Sequence, residues 1–139
     1  MILPFQNYID NKDVEQQRSD AEQARFLMDK ARRRLQYITQ KAVDESNADF
    51  IFEDAYDCMR EASHAIMALR GYKPLSHEPL VAFLRDEEAL DQRIVERFDS
   101  FRKLRNKSVY AAKKFGATIA KDSIAFAEEL LSILQSRIK

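Results

Sequence analysis

One segment of the sequence concentrates residue types that bind phosphate. Between Arg97 and Lys114 there are seven basic residues and a single acid, Asp99. If this segment is helical, steps of four, four and three residues place polar side chains along one edge, namely Arg102, Asn106, Tyr110 and Lys113. Guanidinium, ammonium, amide and phenol groups are suitable donors to phosphate, and a tyrosine ring can stack on a base. The segment therefore predicts a phosphate-binding site whose cationic ligands are Arg102, Arg105, Lys107 and Lys113.

Arg105 interrupts the apolar face of the same predicted helix. On a helical wheel that face is shared by Leu90, Ile94, Phe98, Phe101, Ser108, Ala112 and Phe115. Arg105 falls in its middle, and a guanidinium keeps its charge inside a protein, so it requires an anion or access to solvent. We expect Arg105 to receive an anionic ligand. The alternative is an ion pair between Arg105 and an acid of a neighbouring helix.

Length and composition predict a single helical domain. The chain has 139 residues, only two glycines and three prolines, and many strong helix formers. Equal numbers of basic and acidic residues, 23 each, argue against a surface that binds polyanions everywhere. The single cysteine, Cys58, excludes an internal disulfide, and no apolar run is long enough to span a membrane. Because there is also no secretion signal at the start, we expect a cytoplasmic protein that does not contact the membrane.

The elements that must position the basic segment are amphipathic helices. Long helices are predicted over residues 13–43, from a cap at Ser46 or Asn47 to a stop at Gly71, over 87–115, and from a cap at Thr118 onward. A short helix runs from Ser76 through Leu84. The predicted fold is therefore all-α, an up-down four-helix bundle with a short extra helix between the second and third long helices. Residues 1–12 are expected to form an extended arm before a single domain, 13–139, and no strand is predicted.

Other kinds of site lack the residues that they need. Glu61 and His64 have the Glu-x-x-His spacing of a di-iron bundle, but no second copy exists, and both residues fall outside the apolar arc and are expected to be exposed. One cysteine and two histidines cannot complete a zinc site, and glycine-rich phosphate loops need more glycines. His77 lies at the junction of a loop and the short helix and is expected to be an ordinary polar residue near the cap. We predict no metal and no cofactor.

The segment Leu104-Arg105-Asn106-Lys107-Ser108-Val109-Tyr110 resembles the motif region of the HEPN family (higher eukaryotes and prokaryotes nucleotide-binding domain). In that motif an arginine is usually followed by a polar residue such as asparagine, and a histidine comes four to six residues after the arginine. The order of the surrounding elements is similar as well: two long helices, a Gly71-Tyr72 loop, a short helix, the motif helix and a last amphipathic helix. The resemblance covers residues from about 15 to 138.

The resemblance implies a small helical domain, commonly a homodimer, that binds RNA or nucleotides. Many relatives are metal-independent ribonucleases, often toxins encoded beside a small nucleotidyltransferase antitoxin, and their two subunits bring the motifs together in one cleft. It also implies that Arg105 is the phosphate-binding arginine and Asn106 the polar residue after it. Tyr110 stands where the family has histidine, and a tyrosine near the motif can be nucleotidylated by the partner. Arg105, Asn106 and Tyr110 are therefore the candidate catalytic residues.

Tyr110 in place of histidine makes catalysis difficult. Metal-free cleavage of RNA needs an acid and a base whose pKa values lie near the working pH, and a histidine, with a pKa near ~6.5, suits both roles. A tyrosine, with a pKa near ~10, is ionised to only about one part in a thousand at pH 7. We therefore expect weak or absent catalysis with binding retained. His64 and His77 are possible surrogate bases, although nothing in the sequence brings either to the cleft.

Three hypotheses follow. The chain is an RNA- or nucleotide-binding HEPN-like module, dimeric and working with a partner such as a nucleotidyltransferase. Alternatively it is a metal-independent ribonuclease of the toxin–antitoxin type. The third possibility is a structural bundle without a ligand, in which Arg105 is a satisfied ion pair.

Overall fold

The computed structural model describes residues 1–110 and 115–138, and the side chains of residues 1–107 and 115–138. This part of the chain forms six helices and two short strands: α1 (Phe5–Asp10), β1 (Val14–Gln16), α2 (Ala21–Thr39), α3 (Ala48–Arg70), β2 (Tyr72–Pro74), α4 (Glu78–Asp86), α5 (Gln92–Tyr110) and α6 (Ala117–Gln135). The prediction of an all-α helical bundle is confirmed, and the short helix α4 lies in the chain between the second and third long helices. Ala111, Ala112, Lys113 and Lys114 lie outside the described residues.

Helix α3 is the central element of the bundle. It packs against α2, α6, α4 and α5. Its buried residues include aromatic and small ones on several sides, so it is surrounded by other elements rather than covered along one stripe. Cys58 is fully buried, and its burial raises the pKa of the thiol to about 12. The packing around α3 therefore fixes the position of each residue that this helix contributes to a site.

The two strands explain why α2 begins later than predicted. Residues 14–16 leave the predicted helix and pair antiparallel with β2, with Val14 opposite Pro74. α2 then begins after Asp20, whose carboxylate accepts a hydrogen bond from the backbone N–H of Gln23. The expectation of no strands is wrong because three-residue strands with one buried side chain are too short to show alternation.

Gly71 ends α3, as predicted, and joins it directly to β2. Its φ of 90° is left-handed, and a Cβ at this position would lie 2.9 Å from the carbonyl oxygen of Gln17. Gly71 and Gln17 are also joined by a backbone hydrogen bond of 2.9 Å. Only glycine combines this φ with such a close approach of the two chain segments. Asn47 is the N-cap residue of α3, although its side chain makes no capping hydrogen bond.

The first twelve residues do not form an extended arm. Phe5 and Tyr8, three positions apart, are both buried on one side of α1. The Phe5 backbone N–H donates to the Asp86 carboxylate at 2.9 Å, and the Phe5 ring packs edge-on against Tyr72 and Phe83. The expectation was wrong because burial of these rings against α4 and β2 stabilises a single helical turn that is too short to predict from periodicity.

The later helices also begin away from their predicted starts. α4 begins at Glu78, with His77 as its N-cap residue and Pro79 in its first turn. α5 begins at Gln92 instead of residue 87, because the chain turns at Ala89, which has a φ of 51°. α6 begins at Ala117, whose backbone N–H donates to the Glu45 carboxylate, so Thr118 is not the cap.

Candidate phosphate-binding cleft

Arg105 is half-buried on α5 and faces α3. Its Cζ atom lies 5.9 Å from the centroid of the Tyr56 ring, and Tyr56 is fully buried. Within residues 1–107 and 115–138, every other buried or half-buried lysine or arginine has a carboxylate within 4.0 Å. Arg105 has none there, and no described residue forms a hydrogen bond with its guanidinium. Its charge is balanced by no acid of the described chain.

Arg105 borders an open cleft of about 520 Å³. α5 supplies Arg102, Arg105 and Asn106 to its walls. The opposite wall consists of Asp13, which precedes β1, and of three consecutive residues that lead into α4, Ser76, His77 and Glu78. Three predicted site residues, Arg102, Arg105 and Asn106, therefore line one cavity, which is large enough to admit a phosphate group.

Arg102 lines the cleft but is not available in the way that was expected. Its side chain is buried, and Nε donates to the Asp99 carboxylate at 2.8 Å. A terminal nitrogen also lies 3.7 Å from a carboxylate oxygen of Glu78. Because α5 turns Arg102 inward beside an acid three positions earlier, its charge is already compensated. We therefore regard Arg102 as part of the wall that supports the cleft, and not as a free ligand for phosphate.

The other predicted ligands differ in what the structure says about them. Asn106 is half-buried at the cleft, whereas Lys107 is exposed and is not among the lining residues. Tyr110 is the last residue of α5, and its side chain lies outside the described part. Lys113 lies outside the described residues altogether. The described site therefore rests on Arg105 and Asn106.

His77, a possible surrogate base that nothing in the sequence brought to the cleft, lies in the cleft wall. Its ring lies roughly parallel to the Tyr56 ring, with the centroids 5.6 Å apart, and its Nδ1 atom is 3.0 Å from the Tyr56 hydroxyl. Arg105 lies against the same ring, so Tyr56 holds both groups at the cleft. The one available signal was that His77 belongs to the connection between α3 and α5, the two helices that border the site.

The surroundings of His77 keep its imidazole neutral at neutral pH. Burial lowers its pKa from the ordinary value, and the positive charges of Arg105 and Arg60 act in the same direction. Burial also raises the pKa of Tyr56 far above its ordinary value, so the phenol stays protonated and can hydrogen-bond with Nδ1. A neutral imidazole with one nitrogen held by a phenol can donate or accept a hydrogen bond at the other nitrogen, according to the tautomer.

Neither Glu61 nor His64 is exposed as expected, since Glu61 is buried and His64 is half-buried. Glu61 is buried on α3 and is held by Arg34 through hydrogen bonds of 2.9 and 3.2 Å. The wheel missed this because Arg34 and Lys30 of α2 reach over that side of α3 and compensate the carboxylate. In the described part of the chain, no group of three His, Cys, Asp or Glu residues is arranged to hold a metal ion.

Comparisons of the chain with models of protein families, with curated proteins and with solved structures found no match. None of the described helices has the length and apolar character that crossing a bilayer requires.

Proposed function

We propose that this chain binds the phosphate groups of RNA or nucleotides in the cleft at Arg105. The observation that supports this function best is a half-buried guanidinium with no compensating acid among the described residues, at the wall of an open cavity. A buried charge without a partner costs free energy, and a phosphate entering the cleft would supply the missing partner. Asn106, beside Arg105 in the wall, adds a donor for a second phosphate oxygen.

The electrostatics of the cleft support a single strong contact to an anion. Glu78 lies near Arg102, which compensates its charge, whereas Asp13 has no such cation within 4.0 Å among the described side chains. Asp13 therefore opposes anion binding, and Arg105 favours it. This balance predicts moderate affinity and strong dependence on Arg105.

Binding to a single-stranded RNA at several salt concentrations tests the proposal. We expect Arg105→Ala to lower the affinity at least about tenfold, as the loss of a charge-assisted hydrogen bond does, and to reduce the salt slope by about 0.7. The matched control is Arg93→Ala, which removes an exposed, ion-paired arginine twelve positions earlier on the same helix. Equal effects of the two substitutions would show that only total charge matters and would refute the site.

The resemblance to HEPN domains leads us to extend the proposal to assembly. We propose that two copies of the chain associate and that a nucleotidyltransferase is the natural partner, with Tyr110 as the residue that it modifies. Sedimentation at tens of micromolar tests the first part, and a monomeric mass there would contradict it. For the second part, we expect Tyr110→Phe to abolish labelling by a nucleotidyltransferase encoded beside the gene.

Metal-independent cleavage of RNA is the second candidate function, and the position of His77 favours it. A neutral imidazole at the Arg105 cleft supplies the base that Tyr110 supplies poorly. In this reaction the base removes the proton of a 2′-hydroxyl, the 2′-oxygen bonds to phosphorus, and the bond from phosphorus to the 5′-oxygen breaks. The 5′-oxygen takes a proton from water, which leaves a cyclic phosphate and a 5′-hydroxyl.

Incubation of the protein with RNA and a chelator distinguishes the two functions. Cleavage that is lost in His77→Gln and in Arg105→Ala, with RNA binding retained in the first variant, would support the enzyme. If the wild-type protein leaves the RNA intact, the enzyme is ruled out and only the binding function remains. Tyr110→His is a further test: if the family motif operates in this chain, the substitution should create or increase cleavage.

A further inference from the structure

A second, smaller pocket lies beside the Arg105 cleft. It has a volume of about 180 Å³, and Arg60 and His64 of α3 line it together with Ser76 and His77. Ser76 and His77 also line the Arg105 cleft, so the two cavities lie on either side of this dipeptide. Helix α3, whose Tyr56 contacts Arg105, thus also forms a wall of this second pocket.

The two cavities together are longer than one phosphate group. Tyr56, Arg60 and His64 follow one another at steps of four on one face of α3, and eight residues of helix span about 12 Å. The Tyr56 end of this row lies against Arg105, and the His64 end lines the second pocket. A ligand that pairs with Arg105 and also with Arg60 needs more than one anionic group.

Arg60 has N–H groups that donate to no described residue and can therefore donate to an anion. It is half-buried, and its Nε donates to the Asp57 carboxylate at 3.3 Å. Asp57 also has Arg34 at 4.0 Å, so its charge is shared between two arginines. No described residue accepts a hydrogen bond from the terminal nitrogens of Arg60, which carry four of the five N–H groups of the guanidinium.

Most of the charged groups that act on the two histidines of this path are cations. Burial is the main reason that the pKa values of His64 and His77 are lowered, but cations act on both in the same direction: Arg60 and Lys73 on His64, and Arg105 and Arg60 on His77. Two acids act in the opposite direction: Glu61, which Arg34 and Lys30 compensate, on His64, and Asp57 on His77. Three cations, Arg105, Arg60 and Lys73, therefore mark a route from the cleft to β2.

We infer that the Arg60 pocket is a second phosphate subsite and that the ligand is a single-stranded nucleic acid with successive phosphates in the two cavities. This inference rests on the proposed function, because the Arg105 cleft is the first subsite. A mononucleotide occupies only the first cavity. The second cavity selects strands over mononucleotides.

Uridine 5′-monophosphate and the dinucleotide pUpU test the inference as binding probes. The full chain should bind pUpU at least about tenfold more tightly than the monophosphate. Arg60→Gln should remove most of this difference and leave monophosphate affinity within about twofold, whereas Arg60→Lys should keep part of it. The matched control is Arg33→Gln on α2, which removes an exposed arginine paired with an acid four positions away and should affect neither probe.

The outcomes separate the two proposals. If Arg105→Ala abolishes binding of both probes but Arg60→Gln leaves the preference for pUpU unchanged, the second subsite is wrong and the proposed function stands. If the wild-type protein binds both probes equally, the second subsite is likewise wrong and the proposed function stands. If Arg105→Ala changes neither affinity, or wild-type protein binds neither probe, the proposed function fails and the second subsite fails with it. Circular dichroism spectra of all variants ensure that each comparison is made between folded proteins.

Discussion

Replacement of Arg105 by glutamine should weaken ligand binding without destabilising the protein. Arg105 has no compensating acid in the described chain, so its removal breaks no ion pair. A half-buried charge without a partner costs desolvation energy, and glutamine relieves that cost while having a similar helix propensity. The useful comparison is Arg102→Gln, three positions earlier on the same helix, where the guanidinium is buried and paired with Asp99.

The two substitutions should differ by about 2 kcal/mol or more in the free energy of unfolding. Arg102→Gln leaves the Asp99 carboxylate, whose side chain is 16% exposed, with only the exposed Lys103, 3.3 Å away, as a partner, and we expect a loss of about 2–3 kcal/mol. Arg105→Gln loses only the attraction to the Tyr56 ring at 5.9 Å, about 0.5–1 kcal/mol at most, and regains part of it from reduced desolvation. Its net effect should lie within about 1 kcal/mol of zero.

Urea denaturation followed by far-ultraviolet circular dichroism measures both values, and an unchanged slope with urea would show that the unfolding transition itself is the same. The reasoning is refuted if Arg105→Gln destabilises the protein as much as Arg102→Gln does. That result would mean that Arg105 is a satisfied structural cation, as in the hypothesis of a bundle without a ligand.

Four other predictions test the cleft and the fold that supports it. Binding of an RNA oligomer without terminal phosphates should strengthen as the pH falls through the lowered pKa of His77, because an imidazolium attracts phosphate, and His77→Gln should flatten this dependence. The unfolding free energy should fall below about pH 6.5, since a histidine with a lowered pKa takes up its proton more readily in the unfolded chain. Asp13→Asn should raise RNA affinity about two- to fivefold by removing the one uncompensated acid of the described cleft, as measured by titration beside the wild type. Gly71→Ala should lower the free energy of unfolding by about 1–3 kcal/mol, because φ is 90° and the new Cβ would approach the Gln17 carbonyl, and urea denaturation measures this value.

The long helices could be predicted from the sequence because in each of them apolar residues recur at helical spacing. In α5 the residues Ile94, Phe98 and Phe101 recur at steps of three and four, and all three are buried as expected. Gly71 was recognisable because it follows directly on a strong helical pattern. The elements that were missed are short: α1 has six residues and each strand has three, so tertiary contacts decide their conformation.

The candidate site could be predicted only in part. Periodicity was sufficient to find Arg105, because the apolar face that this residue interrupts lies within one helix. His77 could not be found in this way, because its contact with Tyr56 joins positions 21 residues apart and depends on how β2 and α4 turn the chain back. Arg102 shows the opposite problem: the wheel placed it on an accessible edge, but Asp99 and Glu78 hold it in the interior.

Tyr56 has a kinetic consequence for ligand capture. It belongs to the innermost helix, and both Arg105 and His77 lie against its ring, so these two groups occupy their positions before any ligand arrives. Such a preorganised surface requires no slow rearrangement during association. The observed rate of RNA binding should therefore increase linearly with protein concentration, without reaching a plateau set by a conformational step.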